Sequence, residues 1–496
     1  MLRSLLASVL ALSLALPAQA EPAAAPLAAQ VEAILSGAPA GTRFGLLVTD
    51  AEGREIVAIA PDQRFIPASN TKLFTTAAAL ALLAPKEAGA TLGTEDFAKY
   101  AAGTFIGLVS RDRGAPDVVL LGRGDARMSS AEDCKVDCLA ELAALVASKT
   151  RRVNDVVGDD SWFPDQRWSP GMSWNNIGTD SGTATSALTL DDNELRIVVT
   201  PGAAGAAPAV KLSPYFTLRN EATTVPAGKT TLAFERAVNG RDLRVYGQIA
   251  VGAEPYEERL GIDDPAHYAA WRLRQLLETQ GVRVAGRVLS RHRPVAPLDD
   301  PETRQGQAVR LAMPRAAYLG GHTAPPLGQD IEIVNKVSQN LHAELLLRRI
   351  GRIAGTGSLA DGIAALKALL AGAGVPRAGY DFSDGSGMST YNRVSPRAAV
   401  ALLRWGAAQP WGKDWRASFP VGGTDGTLRK RFAGTVLQGK VFAKTGTLNA
   451  TNALSGYLIA ASGRELTFSF FANDVPDGGN AVPAMDAALL AVAAAN

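Results

Sequence analysis

Pro67-Ala68-Ser69-Asn70-Thr71-Lys72-Leu73-Phe74, running into an Ala/Leu-rich stretch that ends at Ala84-Pro85, is the segment from which the rest of this 496-residue chain is read. The run of helix formers predicts a buried helix that Pro85 stops, with Ser69 in its first turn. Lys72 lies three positions after Ser69, so both side chains leave the helix on one face within hydrogen-bonding range. A serine hydroxyl is a poor nucleophile without a base, and a desolvated lysine with a lowered pKa can be that base. No other serine in the chain has lysine at the third position after it.

Outward from that helix, residues 43–60 alternate in the manner of a β-hairpin around Asp50-Ala51-Glu52-Gly53. Helical patterns return at 329–349, 359–373 and 396–408, and residues 436–444, 453–461 and 466–472 read as strands before a closing helix at 484–495. The early hairpin and the late strands can join one sheet in an α/β fold. The middle, 86–304, breaks into short β-like pieces (118–121, 156–157, 195–199, 243–251) around one amphipathic helix at 266–280. The Gly/Ala/Pro stretch 201–209 is expected to be a joint within this excursion.

Two further groups carry chemistry. Lys444-Thr445-Gly446-Thr447 ends an apolar strand; on an edge strand it presents an ammonium and hydroxyls to a substrate carboxylate, and Gly446 leaves room for a substrate backbone. Ser338-Gln339-Asn340 interrupts the helical pattern of 329–349. Helix capping is the plain alternative for such a Ser-x-Asn, and a second copy at Ser173-Trp174-Asn175 shows how little the spacing means alone.

Composition bounds the answer. Apolar residues make up 47% and net charge is +2 with both signs interspersed, which excludes a disordered chain and gives no basic stripe for nucleic acid. Residues 1–20 have the layout of a secretory signal peptide, with cleavage expected after Ala20; no later run is long and apolar enough to span a bilayer. Export into oxidising surroundings favours a local disulfide between Cys134 and Cys138, with zinc binding and free thiols as the alternatives.

Taken in order, Ser-x-x-Lys, Ser-x-Asn and Lys-Thr-Gly are the triple signature of penicillin-binding proteins and serine β-lactamases. The chain resembles, over nearly its whole mature length, the D-alanyl-D-alanine carboxypeptidase/endopeptidase family of the penicillin-binding protein 4 type, low-molecular-mass class C. Matching stretches include Leu121-Gly122-Arg123-Gly124-Asp125, Gly158-Asp159-Asp160-Ser161-Trp162-Phe163, His322-Thr323-Ala324-Pro325-Pro326-Leu327, 335–344, Asp384-Gly385-Ser386-Gly387-Met388-Ser389 and Asp425-Gly426-Thr427-Leu428.

The resemblance implies an α/β transpeptidase-like domain, a sheet flanked by helices plus a helical subdomain, formed by 21–85 and 308–496. Two β-rich domains would interrupt it, one from 86–200 with 263–307 and one from 201–262. It implies that Ser69 attacks the carbonyl between two terminal D-alanines and that Lys72 takes its proton. Ser338 relays a proton to the leaving amine, and Asn340 holds Lys72 and the substrate amide. Lys444, Thr445 and Thr447 bind the terminal carboxylate, with an oxyanion hole from the Ser69 and Thr447 amides. The implied partners are peptidoglycan stem peptides ending in D-Ala-D-Ala or D-Ala crosslinks, with β-lactams as inhibitors, no metal or organic cofactor, and a periplasmic location.

Departures from relatives matter as well. Arg123-Gly124-Asp125-Ala126 stands where Gly-Gly-Asp-Pro is common, and Asn176 stands where several relatives carry an aspartate for a side-chain amine. No glutamate occurs between Glu344 and Glu465, which argues against a class A β-lactamase. Gly-x-Ser-x-Gly and His-Glu-x-x-His are both absent, and His322 and His342 are read as structural. The rival from another class is a catalytically silent wall-binding or scaffold protein that kept the fold.

Overall fold

The computed structural model describes residues 26–89, 100–308 and 316–496, so the expected leader at 1–20 lies outside the described residues. The early hairpin and the late strands share one five-stranded sheet, in the order Val441–Leu448, Thr451–Ile459, Glu465–Asn473, Arg43–Thr49, Glu55–Ile59, every neighbouring pair antiparallel. The chain's first and last described parts therefore build one layer. Its central strand, Glu465–Asn473, is buried along all but its first residue, so both faces are covered.

The alternation of that strand sorts its side chains. Leu466, Phe468, Phe470 and Ala472 pack with Val31, Leu35 and the closing helix Val482–Ala495. Phe471 points the other way, into a core shared with Leu73, Phe74, Leu346, Leu366 and Leu402. These come from the helices Thr71–Ala78, Asn340–Ala354, Leu359–Gly372 and Pro396–Ala407. The sheet is thus sandwiched between two helical layers, in the α/β arrangement expected from sequence.

Three local expectations change. The helix at Ser69 passes Pro85: a wide π turn at Ala79–Leu83 lets the Ala84 amide reach the Ala79 carbonyl, and the helix resumes as Ala84–Ala88. Pro85 then occupies the start of a fresh turn, where its missing N–H is not needed. The pattern at 329–349 is two helices, Leu327–Lys336 and Asn340–Ala354, broken at Ser338, whose φ is +67°. The strand expected at 436–444 begins only at Val441, because Gly434 and Gly439, both at φ +70°, build turns before it.

The excursion has its own core, around Leu120, Leu142, Val156 and Leu273. Its main sheet runs in the order Val288–Arg293, Val156–Pro164, Asp117–Gly122, Gly103–Val109, Ala317–Thr323. The helices Leu139–Lys149 and Pro265–Thr279 supply the residues that bury one face. The last of those strands lies past residue 307, where the catalytic part was expected to have resumed. Residues 201–209 do not form a joint: they connect Glu194–Thr200 to its antiparallel partner Ala209–Lys211, a hairpin completed by Tyr256–Gly261. Thr217–Val225, Ala233–Glu235 and Asp242–Ala250 form a further three-stranded sheet. Cys134 and Cys138 are disulfide-bonded. No single helix among the described residues is long and apolar enough to cross a membrane.

Candidate active site

Ser69 sits in a 3-10 turn, Ala68–Asn70, that leads into the helix Thr71–Ala78. Ala68 is held at φ +47°, a left-handed conformation that costs an L-residue roughly 1–2 kcal/mol. Strain of this kind persists only where neighbours enforce it. Here the loop at Gly387 presses on the turn: a Cβ at Gly387 would lie 1.9 Å from the Ala68 carbonyl oxygen.

One turn on, Lys72 is fully buried, and its Nζ lies 2.9 Å from Ser69 Oγ, 2.6 Å from Asn340 Oδ1 and 2.6 Å from the Ser386 carbonyl oxygen. Burial pushes its pKa down to about 7, against the pull of the Asp384 and Glu344 carboxyls. A neutral amine has two N–H bonds and one lone pair. The two carbonyl oxygens accept the N–H bonds, which leaves the lone pair for the Ser69 hydroxyl proton.

The other motifs close around this pair. Lys444, on the edge strand of the sheet, is fully buried and donates from Nζ to Ser338 Oγ at 2.8 Å and to the Thr445 carbonyl at 3.1 Å. Burial, reinforced by the charge of Lys72, holds its pKa well below the usual lysine value. Ser338 is therefore no helix cap; Gln339 caps the Asn340–Ala354 helix by accepting from the Leu341 amide. Asn70 Nδ2 donates to the Lys444 carbonyl at 2.9 Å, fastening the strand to the serine turn.

Gly446 has a reason the sequence did not show. A Cβ there would stand 2.7 Å from the Pro67 carbonyl oxygen and 3.1 Å from the Ser69 amide nitrogen, so the chain itself needs the glycine. Thr445 Oγ1 shares a hydrogen bond with Thr427 at 2.7 Å, and Thr447 is exposed on the same strand. All eight residues expected at the site, from Ser69 to Thr447, lie on these adjoining elements.

Three contributors were not assigned roles from sequence. The Asp384–Ser389 loop supplies the Ser386 carbonyl, Glu344 accepts from the Gly385 and Ser386 amides, and Ser181 from the excursion accepts from Asn340 Nδ2 at 2.9 Å. Only the peculiar Asp-Gly-Ser-Gly string hinted at the first. A narrow cleft beside the site is lined by Trp168, Met172 and Ser181 from the inserted part together with Asn340, Asp384 and Ser386.

Other sequence features fall elsewhere. The second Ser-x-Asn lies in the exposed turn Trp174–Asn176, where Ser173 bonds Asn175. Arg123 and Asp125 are buried, so Arg-Gly-Asp presents no accessible tripeptide. A roomier cavity, about 910 Å³, lies among the inserted segments around Tyr215, Arg236 and His267 and contains none of the three motifs. Among the described residues no group of three or more His, Cys, Asp or Glu side chains is arranged to hold a metal ion.

The model of the D-Ala-D-Ala carboxypeptidase 3 (S13) family matches residues 27–494. A D-alanyl-D-alanine carboxypeptidase of Actinomadura sp. is 35% identical over 462 residues, covering 89% of this chain and 80% of that protein. The D-alanyl-D-alanine carboxypeptidase DacB of Haemophilus influenzae is 25% identical over 452 residues, covering 89% and 87%. In structure, penicillin binding protein 4 of Haemophilus influenzae superimposes with a TM-score of 0.73 at 21% identity, over 90% of this chain and 93% of that one. The same protein complexed with a β-lactam superimposes with a TM-score of 0.67.

Proposed function

We propose, from the premise that this chain belongs to the D-Ala-D-Ala carboxypeptidase 3 (S13) family and is a serine-type hydrolase of that class, that Ser69 cleaves peptidoglycan stem peptides through an acyl-enzyme. The observation that carries this reading is the set of contacts around Lys72: a buried Nζ that touches Ser69 Oγ, Asn340 Oδ1 and the Ser386 carbonyl, so that its neutral form can give both N–H bonds to Asn340 and Ser386 and keep its lone pair for Ser69. As Oγ attacks the carbonyl between two terminal D-alanines, its proton passes to Lys72. Ser338, which accepts from Lys444, relays a proton to the departing D-alanine amine, giving up its own hydroxyl proton as it takes the one that Lys72 received, so that Lys72 returns to the free amine. The Ser69 and Thr447 amides stabilise the oxyanion, and Lys444, Thr445 and Thr447 receive the terminal carboxylate. Beyond the antiparallel bridge from Val421 to Phe442, the outer edge of the Val441–Leu448 strand gives an extended substrate backbone groups to pair with. Water then hydrolyses the ester.

A β-lactam acylates the same serine because its strained amide presents the same carbonyl and carboxylate. The complex of the Haemophilus influenzae relative with a β-lactam supports this. Release is slow, since no glutamate lies between Glu344 and Glu465 to activate a water in the class A manner. Such substrates lie in the cell wall, and export by the leader at 1–20 places the enzyme there, in the periplasm. The chain folds as a transpeptidase-like unit with two inserted β-rich parts, which restrict access to crosslinked wall.

Intact-mass spectrometry of the mature protein with benzylpenicillin, beside Ser69→Ala, tests the reading. A lasting adduct on the wild type alone is expected. Folded wild-type protein that takes no adduct would leave the wall-binding alternative in its place.

A further inference from the structure

Beneath Lys72 lie more ionisable groups than the acyl-transfer steps use. Glu344, on the helix that begins at Asn340, is buried, as are Arg348 one turn later and Asp384 in the facing loop. Glu344 Oε1 accepts from the Gly385 amide at 3.0 Å and the Ser386 amide at 2.9 Å. Asp384 accepts from the Gly387 amide at 2.9 Å, the Ser389 amide at 2.5 Å and Asn392 Nδ2 at 2.6 Å. The two carboxyls thus grip one short loop from both sides, and Thr75 Oγ1 ties the same loop by donating to the Gly385 carbonyl at 2.7 Å. The loop's Ser386 carbonyl is one of the acceptors that orient Lys72.

Charge accounting sharpens this. Lys72 feels the Glu344 and Asp384 carboxyls, the same two carboxyls act on Arg348, and the charge of Lys72 reaches Lys444. Among the described residues Arg348 pairs with no carboxylate directly; it donates to Gln166 at 3.3 and 3.0 Å. Glu344 Oε2 is buried and has no hydrogen-bond partner among the described residues. An ionised oxygen left bare in a dry interior is costly, whereas a protonated carboxyl there is far less so. With Arg348 charged, the set of Lys72, Glu344, Asp384 and Arg348 is neutral when Lys72 and the carboxyl pair together hold one proton. That proton sits either on Lys72 or on one of the carboxyls.

We propose that Glu344 and Asp384 are positioning residues that share a single proton with Lys72 and fix the Ser386 carbonyl against it, so that the pair sets the pH at which Ser69 can be activated. When the proton rests on a carboxyl, Lys72 is a free amine and its lone pair is available to Ser69. That exchange is internal to the set; the pH limb comes from release of the shared proton, which frees Lys72 in every molecule and whose pH the charge of the two carboxyls raises. Burial raises the pKa of both carboxyls, and the Asp384 charge adds to the rise of Glu344, which agrees with one of them holding a proton.

The inference rests on Ser69 acylation with Lys72 as base, and its test separates the two. The second-order rate of benzylpenicillin acylation is measured from pH 5 to 9 for wild type, Glu344→Gln and Thr75→Val, with folding checked by circular dichroism. Gln keeps one carbonyl oxygen to accept from both the Gly385 and Ser386 amides but removes the charge. With one acid left, Arg348 and Asp384 already balance, so Lys72 stays neutral to lower pH. The acid limb should move down by about one pH unit, the size expected when one nearby opposite charge is lost. Thr75→Val loosens the loop without changing charge, so it should lower the rate across the profile and leave the limb in place. A folded Glu344→Gln whose acid limb coincides with wild type overturns the shared-proton proposal while leaving the Ser69 reading intact. Wild type that does not acylate at all removes the reading on which both stand.

Discussion

Lys72 shows how one burial event makes a reagent. In water its amine is protonated at neutral pH and has no lone pair to offer; removed from solvent, its pKa falls to about 7. With the free amine as acceptor in the proposed mechanism, acylation should climb as pH rises through about 7 and plateau above it, which stopped-flow rates with a chromogenic cephalosporin will show. Lys72→Arg keeps a cation near Asn340 and Ser386 but cannot give up its proton. Its acylation rate is expected to fall by about 10²–10⁴-fold, the usual worth of a general base, with thermal unfolding still cooperative.

Among the elements, the joint between the serine turn and the 384–389 loop has the least room. Gly387 is at φ +90°, and an added Cβ would overlap the Ala68 carbonyl at 1.9 Å. Gly387→Ala therefore combines left-handed strain of roughly 1–2 kcal/mol with a backbone clash. The expectation is a lower urea midpoint together with at least a tenfold slower acylation, because the turn that aims Ser69 must shift. Gly434→Ala meets nothing within 4 Å, so it carries only the strain of its φ of +70° and should leave acylation unchanged. The comparison distinguishes a general loss of stability from a loss at the site.

Over the whole molecule, the excursion is clasped to the catalytic helices by His342. Its imidazole lies 2.5 Å from Asp330 and 2.9 Å from Asp192, the latter in a run of left-handed residues from Asp191 to Asn193 within the inserted part. The two carboxylates outweigh burial and lift its pKa to about 9. A group with a folded pKa above its unfolded 6.5 adds stability that is complete below pH 6.5 and is lost as pH rises through about 9. Urea unfolding at pH 6 and pH 9.5 should show that loss in the wild type, and a smaller one in His342→Gln. His292, raised to about 10 by Asp160 and Asp264, contributes a second loss at higher pH that His342→Gln retains.

That Ser69, Lys72, Ser338, Asn340 and the Lys444–Thr447 string would come together was legible in the sequence because local spacing and an ordered set of short motifs announced it, and the terminal strands because alternation with period two survives in any register. The helix past Pro85, the hairpin at 201–209 and the placement of 317–323 in the excursion's sheet were not legible: a proline, a glycine run or a strand edge takes its meaning from what packs on it. The same holds for Gly446, whose neighbour is the Ser69 amide, for Ser338, which bonds Lys444 instead of capping a helix, and for Glu344 and Asp384, which look like ordinary surface acids in a string of letters. Sequence by itself determined which chemical groups this protein possesses and which family it resembles. Only the tertiary structure decided which of them are dry, because desolvation, and with it the protonation of Lys72, depends on every element that closes over a side chain and on none of them alone.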